Sequence, residues 1–375
     1  MNKDSHKIKY FKELNSLRFI GFVGIFFGHV FFSNDIEIVN SKIYSSLYSY
    51  GKILGFISID SFFVLSSFLI TWKGLEELKV TKKFQFKNFL IRRSLRIWPL
   101  YFLVILLGFL IEFMKSYYTQ DISSLPSFWS FILFILNFDI IKNGYEFLFF
   151  MVFMWSISVE EQFYIFWALV LKWFQNHLLK VSLLIILISI IFRIYFIDDS
   201  LNLNFHTVSA LGNFGVGALA AIAAFRNSFL ITKIRDFSKT QIVIIYLISL
   251  LIFIAIPSLQ NHDLFIVIQR VLFSFVFAFI ILEQTYCQQS IFKLSRIKYF
   301  NFFGKISYGL YCYHGIMITI VLKFSDYFSE SLFTSIFIFP TLIFCGTLLF
   351  SHLSYKFFES KILKLKTKYT FKLSN

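Results

Sequence analysis

One arginine and one histidine interrupt the first hydrophobic segment of the chain, which covers residues 14–33. Arg18 and His29 are eleven residues apart. In a helix that spacing gives about 16.5 Å of rise and returns to within about 20° of the same face. A charge at mid-membrane costs roughly 2.5–3.5 kcal/mol even on lenient insertion scales, so the shared face indicates a site. The alternatives are an arginine that reaches the interface and a histidine hydrogen-bonded in the packed interior.

A cluster of three arginines, Arg92, Arg93 and Arg96, precedes the third hydrophobic segment. Arg93 and Arg96 are three residues apart, so they share one helical face. Guanidinium groups bind phosphates through paired N–H donors, and the cluster therefore favours a phosphate-bearing ligand. Ordinary cytoplasmic charge or contact with lipid headgroups is the alternative.

Two adjacent carboxyl groups, Glu160 and Glu161, open the fourth hydrophobic segment. Carboxylates at membrane depth are costly unless they are paired or hydrated. Glu160 and Tyr164 are four residues apart and share a face. On that face, a carboxylate can orient a histidine and stabilise its charged form. The alternative is that both glutamates lie in the outer interface.

The composition shows which elements must hold these side chains. Hydrophobic residues make up 57% of the chain, 55 residues are phenylalanine, and only 15% are charged. Soluble domains carry about 25% charged residues, and several apolar runs here reach the roughly 20 residues that span a bilayer. The sequence therefore predicts an all-α, polytopic membrane bundle. Cys287, Cys312 and Cys345 have no framework spacing, so neither a disulfide nor a metal site is predicted.

The hydrophobic pattern predicts ten transmembrane helices, near residues 14–34, 53–72, 97–114, 155–173, 181–197, 206–225, 240–257, 264–284, 304–323 and 332–355. A further run at 128–141 is short for a span and suits a re-entrant or interfacial helix. With that run not crossing, one side of the membrane receives 28 lysines and arginines and the other receives five. Cytoplasmic loops carry the excess, so both termini are predicted to be cytoplasmic. The net charge of +15 then reflects orientation rather than nucleic-acid binding.

Two more arginines, Arg193 and Arg270, fall inside predicted spans. Intramembrane cations are expected to find a partner. The candidates are Glu160, Glu112 and Glu283, and the sequence does not choose among them.

Five motifs in order resemble the membrane-bound acyltransferase-3 family. They are Arg-x10-His, Phe-Phe-Val-Leu-Ser-x-Phe-Leu-Ile, Arg-Arg-x-x-Arg-Ile-x-Pro-x-Tyr, Trp-Ser-x-Ser-x-Glu-Glu-Gln-Phe-Tyr, and the stretch at 304–315. Together they extend over residues 14–360. Ser58 and Ser67 stand where the family usually has glycine, and the closing Phe-Glu lacks its usual proline.

The resemblance implies roles for individual residues. Arg18 and His29 would be the essential first-helix pair, and Arg93 and Arg96 would serve the acyl donor together with Arg92. Glu160 and Tyr164 would belong to the outer site, with Glu161 as a further candidate. Tyr308 and His314 match the penultimate-helix motif, and His314 is expected to support the chemistry.

The resemblance also implies an enzyme, an O-acyltransferase and in particular an O-acetyltransferase. The donor would be cytoplasmic acetyl-CoA as a co-substrate, with no tightly bound cofactor and no metal. The acceptor would be a hydroxyl of a surface polysaccharide, a lipopolysaccharide or a lipid-linked sugar, with His29 as general base or transient acyl carrier. Membrane lipids are the other expected partners.

The expected organisation is a single membrane domain over residues 1–375, with a core at 14–360 and no fused soluble domain, in the bacterial cytoplasmic (inner) membrane. A different function remains open, because intramembrane Arg, His and Glu also suit a transporter-like protein that exports a glycan or an acylated product. An inactive scaffold in a polysaccharide assembly complex is a third hypothesis. A carrier needs no phosphate site, so the arginine cluster together with His29 favours the enzyme.

Overall fold

A computed structural model describes residues 11–33, 35–119, 127–144 and 149–370, and all regular structure in these ranges is helical. The helices are α1 Lys12–His29, α2 Ile36–Asn40, α3 Lys42–Thr81, α4 Phe86–Thr119, α5 Phe128–Ile132, α6 Leu136–Asn143, α7 Phe149–Val152, α8 Trp155–Trp173, α9 Leu178–Tyr195, α10 Ser200–Phe205, α11 Thr207–Phe225, α12 Phe229–Arg235, α13 Lys239–Leu259, α14 Asp263–Tyr286, α15 Lys298–Lys305, α16 Ser307–Lys323, α17 Phe339–Ser354 and α18 Ser360–Leu365. Two π-helical turns, Thr334–Ile338 and Tyr355–Glu359, flank α17. Asn34 and the lysines Lys3, Lys7, Lys9 and Lys372, which entered the predicted spans or the charge count, lie outside the described residues.

In the part of the chain that the structure describes, seven helical segments are long and apolar enough to cross a membrane. They are Lys42–Thr81, Phe86–Met114, Gln175–Tyr195, Ser200–Phe225, Lys239–Leu259, Asp263–Tyr286 and Thr334–Tyr369. Each coincides with a span predicted from the sequence. The chain is therefore a multi-pass, all-helical membrane protein.

The other three predicted spans coincide with α1, α8 and α16, which are shorter or more polar. These helices contain 18, 19 and 17 residues. At 1.5 Å per residue each is about 26–29 Å long, close to the roughly 30 Å of a hydrocarbon core. They carry three of the candidate site residues, His29, Glu160 and His314.

The run at 128–141 does not form one helix. It divides into α5 and α6, and Phe134 between them has a positive φ of 54°. Helices of five and eight residues are about 7.5 and 12 Å long, so neither can span the bilayer. The segment is held against α8, because the Gln162 amide donates to the Phe134 carbonyl at 2.6 Å and to Asn137 at 2.9 Å.

Close backbone contacts fix the helices around the site. A Cβ atom on Gly217 of α11 would lie 2.2 Å from the Val64 carbonyl oxygen of α3. A Cβ atom on Gly28 of α1 would lie 2.7 Å from the Gly55 Cα atom of α3. Small residues allow such approaches between membrane helices, and the second one fixes the end of α1 that carries His29. Gly212 and Gly215 of α11 are similarly close to their neighbours, because an added Cβ would lie 2.8 Å from Val271 and 2.6 Å from Ile186.

Candidate active site

A cavity of ≈ 360 Å³ lies at the end of the bundle that holds the start of α1 and the segment after α18. Most of its polar wall is cationic. The basic side chains are Arg18 of α1, Lys73 of α3, Arg92, Arg93 and Arg96 of α4, Lys305 of α15, and Lys366. One carboxyl group, Glu359, lines the same wall. We call this space the basic cavity.

The three arginines of α4 are not equivalent. Arg92 donates to Glu77 at 2.9 Å and to the Tyr369 carbonyl at 2.7 Å, so protein groups already engage its guanidinium. Arg93 packs over the rings of Phe89 and Tyr164, at 5.5 and 5.1 Å from the ring centroids. Neither Arg93 nor Arg96 donates a hydrogen bond to any described residue. Their N–H groups therefore face the cavity without a protein acceptor from the described part of the chain.

A second space of ≈ 80 Å³, the inner cavity, continues from the basic cavity into the bundle. Arg18, Arg93, Arg96 and Tyr308 line both. The inner cavity adds further polar groups, namely Ser66, Ser156, Glu160, Tyr164, Ser307 and Tyr311. Two hydroxyl pairs order this wall, Ser66–Tyr164 at 2.8 Å and Ser156–Tyr311 at 2.7 Å.

Glu160 lies among the arginines. It shares the inner cavity with Arg18, Arg93 and Arg96. The sequence-based expectation placed Glu160 at the outer site, where it would orient His29, and the structure corrects this. α8 brings Glu160 into the cavity wall beside the arginines of α4, so opposite charge is available there. Tyr164, four residues along α8, lines the same cavity as expected from the shared face.

The partner of His29 is His314 of α16. Their Nδ1 and Nε2 atoms are 3.1 Å apart, and His314 is fully buried. The ring of Phe153 stacks on both imidazoles, with centroids 4.1 Å from His29 and 4.9 Å from His314. The residue expected to play a supporting part is therefore in direct contact with the first-helix histidine.

The hydrogen bonds of this pair assign its protons. His314 Nδ1 contacts the Tyr311 backbone carbonyl, which can only accept, so Nδ1 carries a hydrogen. In the neutral ring, His314 Nε2 is then the acceptor, and the donor must be His29 Nδ1–H. This tautomer puts the lone pair of His29 on Nε2. A base or nucleophile at His29 would act through that atom.

Arg18 and His29 are at opposite ends of α1 and do not meet. Arg18 lines both cavities and contacts Asn15 at 3.5 Å, whereas His29 is the last residue of the helix. α16 connects the two places, because Tyr308 lines the cavities with Arg18 and the carbonyl of Tyr311 holds His314. Arg18 therefore belongs to the cavities and His29 to the histidine pair.

Glu161 points away from both cavities. One of its oxygens, Oε2, accepts the Trp98 indole N–H at 3.2 Å. The other, Oε1, is buried and has no hydrogen-bond partner among the described residues. Glu161 thus lies on a different side of α8 from Glu160 and lines neither the basic nor the inner cavity.

Arg193 and Arg270 form their hydrogen bonds and ion pairs with groups other than the glutamates named in the sequence analysis. Arg270 of α14 forms a buried ion pair with Asp60 of α3. Arg193 of α9 donates to backbone carbonyls, including Val267 at 2.9 Å, and to the Ser209 hydroxyl at 2.8 Å. The suggested pairing with Glu160, Glu112 or Glu283 is therefore wrong.

Three basic residues of the site were not singled out in the sequence. Lys73, Lys305 and Lys366 line the basic cavity, and they lie in three separate parts of the chain. The charge count placed them on the cytoplasmic side, but no local pattern groups them with the arginines. Among the described residues no set of three or more His, Cys, Asp and Glu side chains is placed to hold a metal ion.

Comparison with known proteins assigns the family. The profile of the acyltransferase-3 family, described as an acyltransferase domain, matches residues 11–354. Because this match covers most of the chain, the protein belongs to that family of membrane acyltransferases. No solved structure matches the chain.

Curated relatives are named as O-acetyltransferases. The peptidoglycan O-acetyltransferase OatA of Listeria monocytogenes is 26% identical over 83% of this chain and 51% of its own length. The O-acetyltransferase OatA of Staphylococcus aureus is 26% identical over 83% of this chain and 53% of its own length. The chain thus spans about half the length of these relatives.

Proposed function

We propose that this protein is an integral-membrane O-acetyltransferase that moves an acetyl group from cytoplasmic acetyl-CoA to a hydroxyl of a bacterial cell-surface glycan. One observation carries the proposal. A cavity lined by seven cationic side chains shares a wall with an inner cavity, and Tyr311 at the end of the inner cavity holds the His29–His314 pair. Phosphate binding and acyl chemistry are thereby connected within one bundle.

The basic cavity suits the phosphates of coenzyme A. The cofactor carries several phosphate charges, and guanidinium forks recognise phosphate oxygens in pairs. Arg93 and Arg96 have donors without a described protein acceptor, and Lys73, Lys305 and Lys366 supply further charge. Arg92, already bonded to Glu77, would act mainly by holding the end of α4 in place.

The inner cavity gives the acyl arm a route toward the histidines. Its walls combine apolar side chains with the Ser66–Tyr164 and Ser156–Tyr311 hydroxyl pairs. Arg18 and Glu160, about midway along this route, would contact the polar atoms of the arm. About 16.5 Å of helix rise separates Arg18 from His29, and this assignment does not require the two side chains to touch.

His29 Nε2 would remove the proton of the acceptor hydroxyl. The oxygen then attacks the thioester carbonyl carbon, the C–S bond breaks, and coenzyme A leaves as a thiolate that takes up the proton. In a two-step variant Nε2 attacks the thioester carbonyl carbon first, the C–S bond breaks and coenzyme A leaves as a thiolate. The acceptor hydroxyl then attacks the acetyl-imidazole, the C–N bond breaks, and the hydroxyl proton goes to the thiolate. In both variants His314 accepts the His29 Nδ1–H, which leaves the lone pair of the neutral ring on Nε2, as the orienting acid does in a catalytic triad.

The membrane orientation follows the distribution of lysine and arginine. We propose ten crossings in the cytoplasmic membrane with both termini in the cytoplasm, which puts Arg18 inward and His29 outward. The basic cavity then faces the compartment that contains acetyl-CoA. The acceptor is proposed from the relatives, one of which is named for peptidoglycan. A polysaccharide, lipopolysaccharide or lipid-linked sugar fits the same chemistry.

The decisive experiment follows a radioactive acetyl group from acetyl-CoA to the surface glycans of cells that express the protein. His29→Ala should lower acetyl transfer by roughly 10²–10⁴-fold, the usual contribution of a positioned general base. His177→Ala is the matched control, because this histidine is exposed in a turn between α8 and α9.

Normal acetylation by the His29→Ala protein at equal folded yield would refute the role of His29. Glycan export without any covalent label, in cells expressing the wild-type protein, would instead favour a transporter.

A further inference from the structure

A third polar cavity, of ≈ 470 Å³, lies between α3, α9, α13 and α14 and shares no residue with the basic or inner cavity. Under the proposed orientation it lies in the outer half of the membrane, and we call it the outer cavity. Its charged and amide side chains are Lys52, Asp60, Arg193, Asn204, Gln260, Gln269 and Arg270. Nothing in the proposed acetyl transfer accounts for it.

The charges of the outer cavity do not balance. Arg270 is paired with Asp60, the one carboxyl group that the described residues contribute to the cavity wall. Arg193 is 1% exposed, and its acceptors are neutral oxygens of Val267, Leu203, Ile266 and Ser209. A buried cation without a counter-charge is costly, so this wall favours the arrival of an anion. Lys52, exposed near the cavity mouth, adds a further positive charge.

Each buried arginine also keeps donor capacity. A guanidinium has five N–H groups. Arg193 makes four hydrogen bonds in the described part of the chain, through Nε, Nη1 and Nη2. Arg270 uses Nε and Nη2 for Asp60, and Nη1 for Leu203 and Ser209. One Nη2 hydrogen on each arginine is thus left for a ligand acceptor.

The rest of the wall narrows the ligand class. Asn204, Gln260 and Gln269 offer amides that donate to and accept from hydroxyl groups. Phe273 provides an apolar surface in the same cavity, and the Lys52 ammonium lies over the Tyr48 ring, 4.4 Å from its centroid. Hydroxyl-binding amides, an aromatic side chain and an excess positive charge together match an acidic sugar better than a lipid headgroup, which would need only the charge.

We propose that the outer cavity binds a carboxylate- or phosphate-bearing sugar of the acceptor glycan, and we base this on the function and orientation proposed above. The part of α3 that carries Lys52 packs against the end of α1. Lys52 follows Gly51, where an added Cβ would lie 2.6 Å from the Phe27 carbonyl oxygen, two residues before His29. A glycan held by one acidic sugar would therefore present a neighbouring sugar to the end of α1.

The test measures thermal unfolding of the full-length protein in nanodiscs of zwitterionic lipid. The probes are trigalacturonate, which is acidic, and maltotriose, a neutral trisaccharide. Trigalacturonate should raise the unfolding temperature in a saturable manner, and maltotriose should not, because a ligand that binds the folded state stabilises it. Lys52→Gln should raise the half-saturating concentration about tenfold by removing one charge-assisted contact.

Lys42→Gln is the matched control, since this lysine is exposed at the start of α3 and does not line the outer cavity. Its protein should respond to trigalacturonate like the wild type. Equal responses to both trisaccharides, or an unchanged response in Lys52→Gln, would overturn the proposal. A response that disappears when anionic phospholipid replaces the zwitterionic lipid would show a lipid-headgroup site instead.

Acetyl-CoA is tested separately in the same nanodiscs. It should stabilise the wild-type and Lys52→Gln proteins equally, because its site is the basic cavity. Loss of the acetyl-CoA response with an intact trigalacturonate response would contradict the proposed enzyme and leave the outer cavity standing. An intact acetyl-CoA response without a trigalacturonate response would contradict only the proposed ligand of the outer cavity.

Discussion

The arginines at the two ends of the bundle have contrasting surroundings. Arg93 and Arg96 line the basic and inner cavities and donate no hydrogen bond to a described residue. Arg193 and Arg270 are buried, and each makes most of its possible hydrogen bonds to the protein. The same side chain thus serves as an open donor in one place and as a cross-link between helices in the other.

This contrast separates ligand binding from stability. A guanidinium without an acceptor among the described residues can be lost with little structural consequence, but its ligand then loses a charged contact. A guanidinium paired with a buried carboxylate cannot be lost alone, because the carboxylate remains without a partner. The two regions should therefore respond differently to equivalent substitutions.

The largest effect is expected at the outer cavity. Arg270→Ala leaves Asp60 buried without its counter-charge, and the protein should lose about 3–5 kcal/mol of stability. The measurement is the free energy of unfolding in detergent, supported by the yield of monodisperse protein.

The double variant Arg270→Gln with Asp60→Asn provides the control, because it replaces the ion pair by two neutral amides of similar size. It should recover much of the lost stability. If Arg270→Ala proved as stable as the wild type, the ion pair would not be the cross-link described here.

At the basic cavity, substitutions should weaken the binding of acetyl-CoA rather than the stability of the fold. Arg93→Gln and Arg96→Gln should each raise the KM for acetyl-CoA about tenfold, since each removes a charge-assisted hydrogen bond to phosphate. Unfolding temperatures should stay close to wild type. Steady-state kinetics at varied acetyl-CoA concentration measure this.

Arg226→Gln serves as the matched control, because Arg226 is exposed after α11 and lines none of the three cavities. An equal rise of KM in Arg226→Gln would mean that general surface charge, and not the cavity, attracts the donor. A large loss of stability in Arg96→Gln would mean that Arg96, like Arg193 and Arg270, cross-links helices.

The smallest effect distinguishes the two neighbouring glutamates. Glu160→Gln removes the carboxylate from the wall shared with Arg18, Arg93 and Arg96, so acetyl transfer should fall by about tenfold. Glu161→Gln keeps an acceptor for the Trp98 indole, and transfer should stay within about twofold of wild type. Initial rates at saturating acetyl-CoA measure both. The opposite order would assign the inner-cavity role to Glu161.

Much of the helical architecture was predictable from the sequence. Seven of the ten predicted spans coincide with helices that meet the length and hydropathy of a membrane segment, and the other three coincide with α1, α8 and α16. Hydropathy is a local property, and each backbone polar group in a bilayer must be satisfied within its own helix. The run at 128–141 was predictable for the same reason, because it is too short to cross.

The pairing of side chains was harder to predict. Arg18 and His29 were singled out because charge is rare in membrane helices, and this signal requires no knowledge of neighbours. The partner of His29 lies 285 residues away, and the partner of Arg270 lies 210 residues away. Glu160 was expected beside His29, but the depth and rotation of α8 put it beside the arginines of α4.

The sequence by itself determined that the chain is helical, belongs in a membrane, and carries the ordered motifs of its family, because composition, period and motif spacing are read along one dimension. Only the tertiary structure decided that His314 contacts His29, that Lys73, Lys305 and Lys366 join the arginines, and that Asp60 pairs with Arg270. Those contacts depend on how helices far apart in the chain pack and rotate against one another. Helix–helix packing is set by small residues and close backbone approaches such as Gly28 against Gly55, and no single segment encodes it.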